Sequence, residues 1–203
     1  MFLTTLVTNP VFFLRYIVII IISITLHELA HGYAAMSQGD DTPKRTGHIT
    51  LNPVVHMGVE SLIFLCIAGI SWGQMPVNPY KFRNGRISDI WVSAAGPLSN
   101  LALALLSIVL LLIFYDSGLL SRDFLYLAAR VNLTLFLFNM LPIPPLDGFS
   151  IFSNIFPELK QLQGSPIGTF GLMIIFLIPG FGGGLIKIAD SLILTCIKFK
   201  FGF

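Results

Sequence analysis

Apolar positions gather into five long stretches, residues 11–36, 90–115, 124–141, 167–179 and 184–199, when the chain is read with a window about one membrane crossing long. They predict an all-α membrane protein, a polytopic bundle of five to six transmembrane segments. The first stretch covers roughly 39 Å of helix, is longer than a signal-peptide core and lacks a small-residue cleavage site, so it is expected to be retained. A further apolar run, residues 59–72, is short for a span. Charge decides its path: Lys44 and Arg45 precede it and Lys81, Arg83 and Arg86 follow it, so both flanks read as cytoplasmic. The run is therefore expected to re-enter, which the bilayer tolerates only where the backbone is buried against protein or lines a wet cavity.

With that choice the N-terminus lies outside, the first helix runs inward, and Lys198 and Lys200 end the chain on the cytoplasmic side. The loop between Tyr115 and Phe124 carries no basic excess, as an external loop should not. Arg130 is the misfit, expected either to snorkel outward or to face the bundle interior. Residues 47–51, with Ile49 and Leu51 alternating, predict a short β element after the first helix, an edge to which an extended substrate could add by backbone pairing.

Composition agrees with this map. The 203 residues are 55% hydrophobic and 11% charged, with a mean hydropathy of +0.84, far from the balance of a soluble domain. One membrane-embedded domain, residues 1–203, is expected, with any regulatory module a separate protein. A net charge of +2 and scattered basic residues exclude a nucleic-acid partner. Cys66 and Cys196 both lie in apolar sequence without a neighbouring cysteine, so they read as buried small hydrophobes rather than as a disulfide or thiolate site.

The chemistry is concentrated in the first stretch, which reads His27-Glu28-Leu29-Ala30-His31. Two imidazoles four residues apart share one helix face and can bind one Zn2+ ion. Glu28 points about 100° around the helix from His27, toward a water on the metal rather than the metal itself. That is the position of a general base. Charged side chains near the bilayer centre cost roughly 2.5–3.5 kcal/mol each on insertion scales, so three ionisable groups together in apolar sequence call for a function.

Catalytic zinc usually takes three protein ligands and leaves the fourth position to water. Asp147 is the strongest candidate for the third, because Pro142, Pro144 and Pro145 break the preceding helix at a depth matching the histidines and free a short acidic side chain to turn inward. Glu60, four residues after His56, is its rival. His56 reads equally as a group facing the substrate or the metal's water and as a cap on the hairpin. Asn100 reads as interhelical glue and His48 as a solvated loop residue.

HELAH at residues 27–31, the stretch 47–56 ending in LNPVVH, PVNPYKF at 76–82, AAGPLSN at 94–100 and NMLPIPPLDG at 139–148 together make the chain resemble the site-2 proteases, zinc metalloproteases that cut within or beside membrane helices. The resemblance covers most of the chain. It implies zinc ligation by His27, His31 and Asp147, base function for Glu28, substrate positioning by Asn139 and a substrate that is an unwound transmembrane segment of another membrane protein. A cell (inner) membrane location is expected, and the charge map places the active site toward the cytoplasmic side. The PDZ and CBS domains common in that family do not fit in this chain. A non-proteolytic membrane metal-binding or metal-transport protein is the alternative, and it would be expected to continue its polar ligands along a pathway.

Overall fold

The computed structural model describes residues 2–162 and 166–202. The long helix α1, Pro10–Ser37, starts where Asn9 accepts a hydrogen bond from the Phe12 N–H and Pro10 occupies the first turn, and it ends against Gly39 in a left-handed conformation. At 28 residues it is about 42 Å long. Its partner α3, Arg86–Ile113, has the same length. Both are long and apolar enough to cross a membrane.

Between them lies α2, Pro53–Ala68, begun by an Asn52 cap and interrupted at Gly58, whose φ of 71° breaks the helical run. Gly69 stops α2 in a left-handed conformation, and its carbonyl accepts a hydrogen bond from the Tyr16 hydroxyl, 3.0 Å away. Tyr16 sits about 32 Å up α1 from Ser37, so the tip of the hairpin reaches nearly the far end of that helix. The chain then returns without helix. Trp72 exchanges two hydrogen bonds with the Ser61 hydroxyl, the Gln74 N–H bonds the His56 carbonyl, and the Asn78 N–H bonds Asp40 at 2.6 Å. Residues 70–78, if extended, span roughly 30 Å, enough to retrace that depth.

Asp40 makes the lower fastening of this return segment. Burial alone would push its carboxyl up, but hydrogen bonds from Thr42 and the Asn78 N–H, with Lys81 3.9 Å away, outweigh burial and hold it below the usual carboxylate range. A depressed value means the charged latch stays intact at neutral pH and is lost only in acid. Lys81 also pairs with Asp41 at 2.6 Å. Both basic flanks of the hairpin therefore meet at one end of the molecule, as re-entry requires.

Three further helices close the bundle: α4, Arg122–Asn139; α5, Asp147–Ile155; and, after the described residues resume, α6, Pro166–Leu177. The last helix is α7, Phe181–Phe201. Apolar residues of α1, α2 and α4 form one core around Ile20, Leu65 and Ala128, and α3, α4 and α7 form another around Leu111, Ala129 and Ile193. Arg130 does not snorkel. It faces α7, where it bonds Asp190 at 2.6 Å beside the Tyr126 hydroxyl.

The architecture is all-α, and two departures from the sequence reading have physical reasons. No strand forms among the described residues: 47–51 is irregular chain, because the Thr50 carbonyl is taken by the His56 ring at 2.7 Å rather than by a neighbouring strand. At 12 residues, or about 18 Å, α6 is also too short to cross a membrane alone, and among the described helices only α1 and α3 combine the length and hydropathy of a span. The hairpin geometry predicts that, once Cys66 and Cys196 are replaced by serine, single cysteines at Lys44 and Lys81 label from one face of a sealed vesicle and one at Gly118 from the other. Opposite labelling of Lys44 and Lys81 would make the hairpin a crossing.

Candidate metal centre

The four-residue spacing brings His27 and His31 together on the buried face of α1, their Nε2 atoms 3.0 Å apart. Asp147 completes the group from α5, with Oδ2 3.1 Å from the His27 Nε2 and Oδ1 3.4 Å from the His31 Nε2. The local sequence explains how a residue so distant in the chain arrives there. Pro142, Pro144 and Pro145 prevent α4 from continuing, and Gly148 lets the new helix begin against the carbonyls of Met140 and Leu141, which a Cβ would strike. Glu60, the rival ligand, is exposed beside the Gly58 break. Among the described residues, His27, His31 and Asp147 are the only group of histidine, cysteine and acidic side chains placed to share a metal ion.

Hydrogen bonding on the far side of each ring fixes what the near side can do. The His31 Nδ1 lies 2.7 Å from the Val92 carbonyl, which can only accept, so that nitrogen carries the proton. The His27 Nδ1 lies 2.6 Å from the Asn100 Oδ1, which likewise only accepts. With both rings neutral, the Nε2 atoms are lone pairs turned toward a carboxylate. Three acceptors then meet with no donor between them, an arrangement that fits a metal cation. Its size suits zinc: ligand distances of about 2.0–2.2 Å around a tetrahedral ion imply ligand-to-ligand edges of about 3.3–3.6 Å, near the spacings found here. Gly96 supplies a second test of fit, since a Cβ there would collide with the Nε2 atoms of both histidines. The space between the rings is left free by the absence of one carbon.

Glu28 follows His27 into a cavity of about 590 Å³, which it lines together with Asn139 and the return segment. Gly73 presses on it so closely that a Cβ would meet the Glu28 Oε1 at 2.5 Å. The carboxylate thus has a fixed wall on one side and the open cavity on the other. Asn139 donates to the Leu135 carbonyl at 3.1 Å and borders the cavity at the end of α4. His56 is absent from that lining. It is fully buried and holds the Thr50 carbonyl with its ring and Gln74 with its own carbonyl, which is the capping alternative. Sequence reading did not single out Gly73, Gly96 or Asn132. A glycine beside a proline at 96–97 within an apolar helix was the available signal for one of them.

Comparison with known proteins agrees with this geometry. The family model for peptidase family M50 matches residues 15–122 and 116–179. The chain is 38% identical over 183 residues to "Putative zinc metalloprotease YwhC" of Bacillus subtilis (strain 168), covering 84% of each protein. It is 29% identical over 175 residues to the similarly named Rip2 of Mycobacterium tuberculosis (strain ATCC 25618 / H37Rv), covering 80% of this chain and 66% of that one. Zinc metalloprotease MJ0392 of Methanocaldococcus jannaschii is 26% identical over 205 residues, covering 98% of this chain but 51% of its own. No solved structure matches.

Two substitutions test the centre without touching a histidine. Gly96→Ala is expected to reduce zinc in the purified protein to background while leaving its helical circular dichroism unchanged. Asp147→Ala should lose zinc as well, whereas Glu60→Ala should retain it. The opposite ranking of the two acidic residues, by metal analysis on matched preparations, would move the third ligand.

Proposed function

The chain belongs to peptidase family M50, and on that footing we propose that it is a zinc endopeptidase that hydrolyses transmembrane segments of other membrane proteins. The observation that carries this reading is the conjunction of a three-ligand centre with Glu28 on the wall of the same cavity. His27, His31 and Asp147 would hold one zinc ion. When bound, zinc supplies Lewis acidity toward a peptide carbonyl and toward a water, whose pKa it lowers to about 7. Glu28 takes the proton from the attacking water and delivers it to the departing amine nitrogen, so one water is consumed and one peptide bond is broken.

An intact helix cannot be cut in this way, because its carbonyls are turned along the axis and bonded to its own N–H groups. The return segment offers the substrate a replacement. Trp72 and Gln74 direct their N–H groups toward α2, so in an extended chain the alternating positions 73 and 75 present theirs to the opposite, cavity side. An unwound substrate pairing there would pass directly over Glu28. Asn139 has one amide donor committed to its own helix and can direct its oxygen at a substrate N–H. His56 acts on this path indirectly, by holding Gln74 in place.

The orientation follows from charge. Lys44, Arg45 and Lys81 cluster at the end of α1 where Ser37 lies, which makes that end cytoplasmic by the positive-inside rule. His27 is then about 15 Å below the cytoplasmic end of its helix, within the hydrocarbon but closer to that side. Metal transport would call for ligands spread along a path. A single metal-capable group among the described residues supports hydrolysis instead.

In proteoliposomes holding a substrate with one transmembrane helix, Glu28→Gln should reduce cleavage by about 10²–10⁴-fold and leave zinc content unchanged. Comparable cleavage by the variant would remove Glu28 from the base role. Gly73→Ala should also keep its zinc yet lose most cleavage, because the added methyl displaces the Glu28 carboxylate; wild-type turnover would show that this wall is not close in the working enzyme.

A further inference from the structure

A buried polar path runs away from the metal centre through residues that the proposed reaction does not use. The Asn100 Nδ2 donates to the Asn132 Oδ1 at 3.1 Å and lies 3.4 Å from the Ser23 carbonyl, and the Asn132 Nδ2 donates to the Ala128 carbonyl at 2.9 Å. Asn100 is fully buried and Asn132 is 3% exposed. The path joins α1, α3 and α4 and ends on the backbone.

Its direction is determined by that end. A backbone carbonyl only accepts, so the Asn132 amide must turn its NH2 to Ala128 and its oxygen to Asn100. Asn100 must in turn show its NH2 to Asn132, which leaves its own oxygen for His27. That oxygen requires a proton on the His27 Nδ1, and in the neutral ring this leaves the lone pair on Nε2. His31 obtains the same order in one step from the Val92 carbonyl, whereas His27 depends on two flexible side chains being read in the correct sense. We propose that Asn132 is a positioning residue of the metal centre, acting through Asn100 to hold His27 in the metal-binding tautomer. Removing it would leave the longer 3.4 Å bond to the Ser23 carbonyl as the remaining hold on the Asn100 amide, which would then flip more readily, presenting a donor to His27 and favouring the tautomer with its lone pair on the wrong nitrogen. Groups that orient a ligating histidine in this manner are typically worth about 10–100-fold in metal affinity. The inference rests on the zinc reading of the site.

The test is zinc affinity by chelator competition, together with the visible spectrum of the Co2+-substituted protein and the melting temperature of the metal-free protein. Asn132→Leu keeps the volume and removes the polarity; Asn132→Ser is measured in its place if the leucine variant loses wild-type helicity. The expected result is a zinc affinity about 10–100-fold weaker and an altered Co2+ spectrum, with the metal-free melting temperature unchanged. In an Asn100→Asp background the same change at Asn132 should have almost no effect on affinity, because a carboxylate only accepts and cannot be flipped into a donor. Unchanged affinity, or an equal loss in both backgrounds, would overturn the proposal and leave Asn132 as interhelical packing. A wild-type protein that binds no zinc, or that binds it equally well after His27→Ala, would instead refute the underlying metal reading.

Discussion

Two imidazole nitrogens and a carboxylate held within about 3 Å of one another on a buried face are the constraint on which the rest of this structure depends. Three converging acceptors in an apolar surrounding repel one another unless a proton or a metal cation lies between them, and burial makes the repulsion stronger by removing water. The protein does not relieve it locally. In the neutral rings the single proton of each imidazole is committed on the far side, to Val92 and Asn100. The arrangement suits a metal ion.

That arrangement is bought with glycines. At Gly96, Gly148 and Gly73 the missing Cβ admits, respectively, the two imidazoles against α3, the start of α5 against the end of α4, and the return segment against Glu28. Each brings a different element to the same few ångströms. Close backbone approach is also how helices associate in a bilayer, where lipid offers no less apolar a surface than another helix does. Packing and chemistry therefore make the same demand on α3: Gly96, between Val92 and Asn100 on one face, gives α1 room, and the room is where the candidate ligands meet. The cost is a non-helical segment running deep along the bundle, which Ser61, His56 and Asp40 secure from three levels.

The candidate ligands were legible in the sequence because their signals are local. His27 and His31 share a face by helical period alone, and the prolines before Asp147 announce a helix break wherever the chain goes next. Basic residues on both sides of 59–72 likewise reported a path that the hydrogen bonds of Trp72, Gln74 and Asn78 trace in detail. The expected strand at 47–51 shows where local reading stops, since two alternating apolar residues cannot reveal that His56 will occupy the Thr50 carbonyl. Nor could Asn132 be read from the chain. An asparagine in an apolar helix looks the same whether it faces lipid, a neighbouring helix or the amide that orders a metal ligand; only the crossing of α3 and α4 distinguishes these.

The central claim is that the buried acceptors are a zinc site made of two imidazoles and a carboxylate. Zinc K-edge X-ray absorption of the purified wild-type protein addresses it without reference to any substrate. The account predicts one zinc per chain, two imidazole shells, oxygen completing the sphere at about 2.0–2.2 Å, and no sulfur. A sulfur shell at about 2.3 Å, a third imidazole, or a fully folded protein that retains no zinc would contradict it.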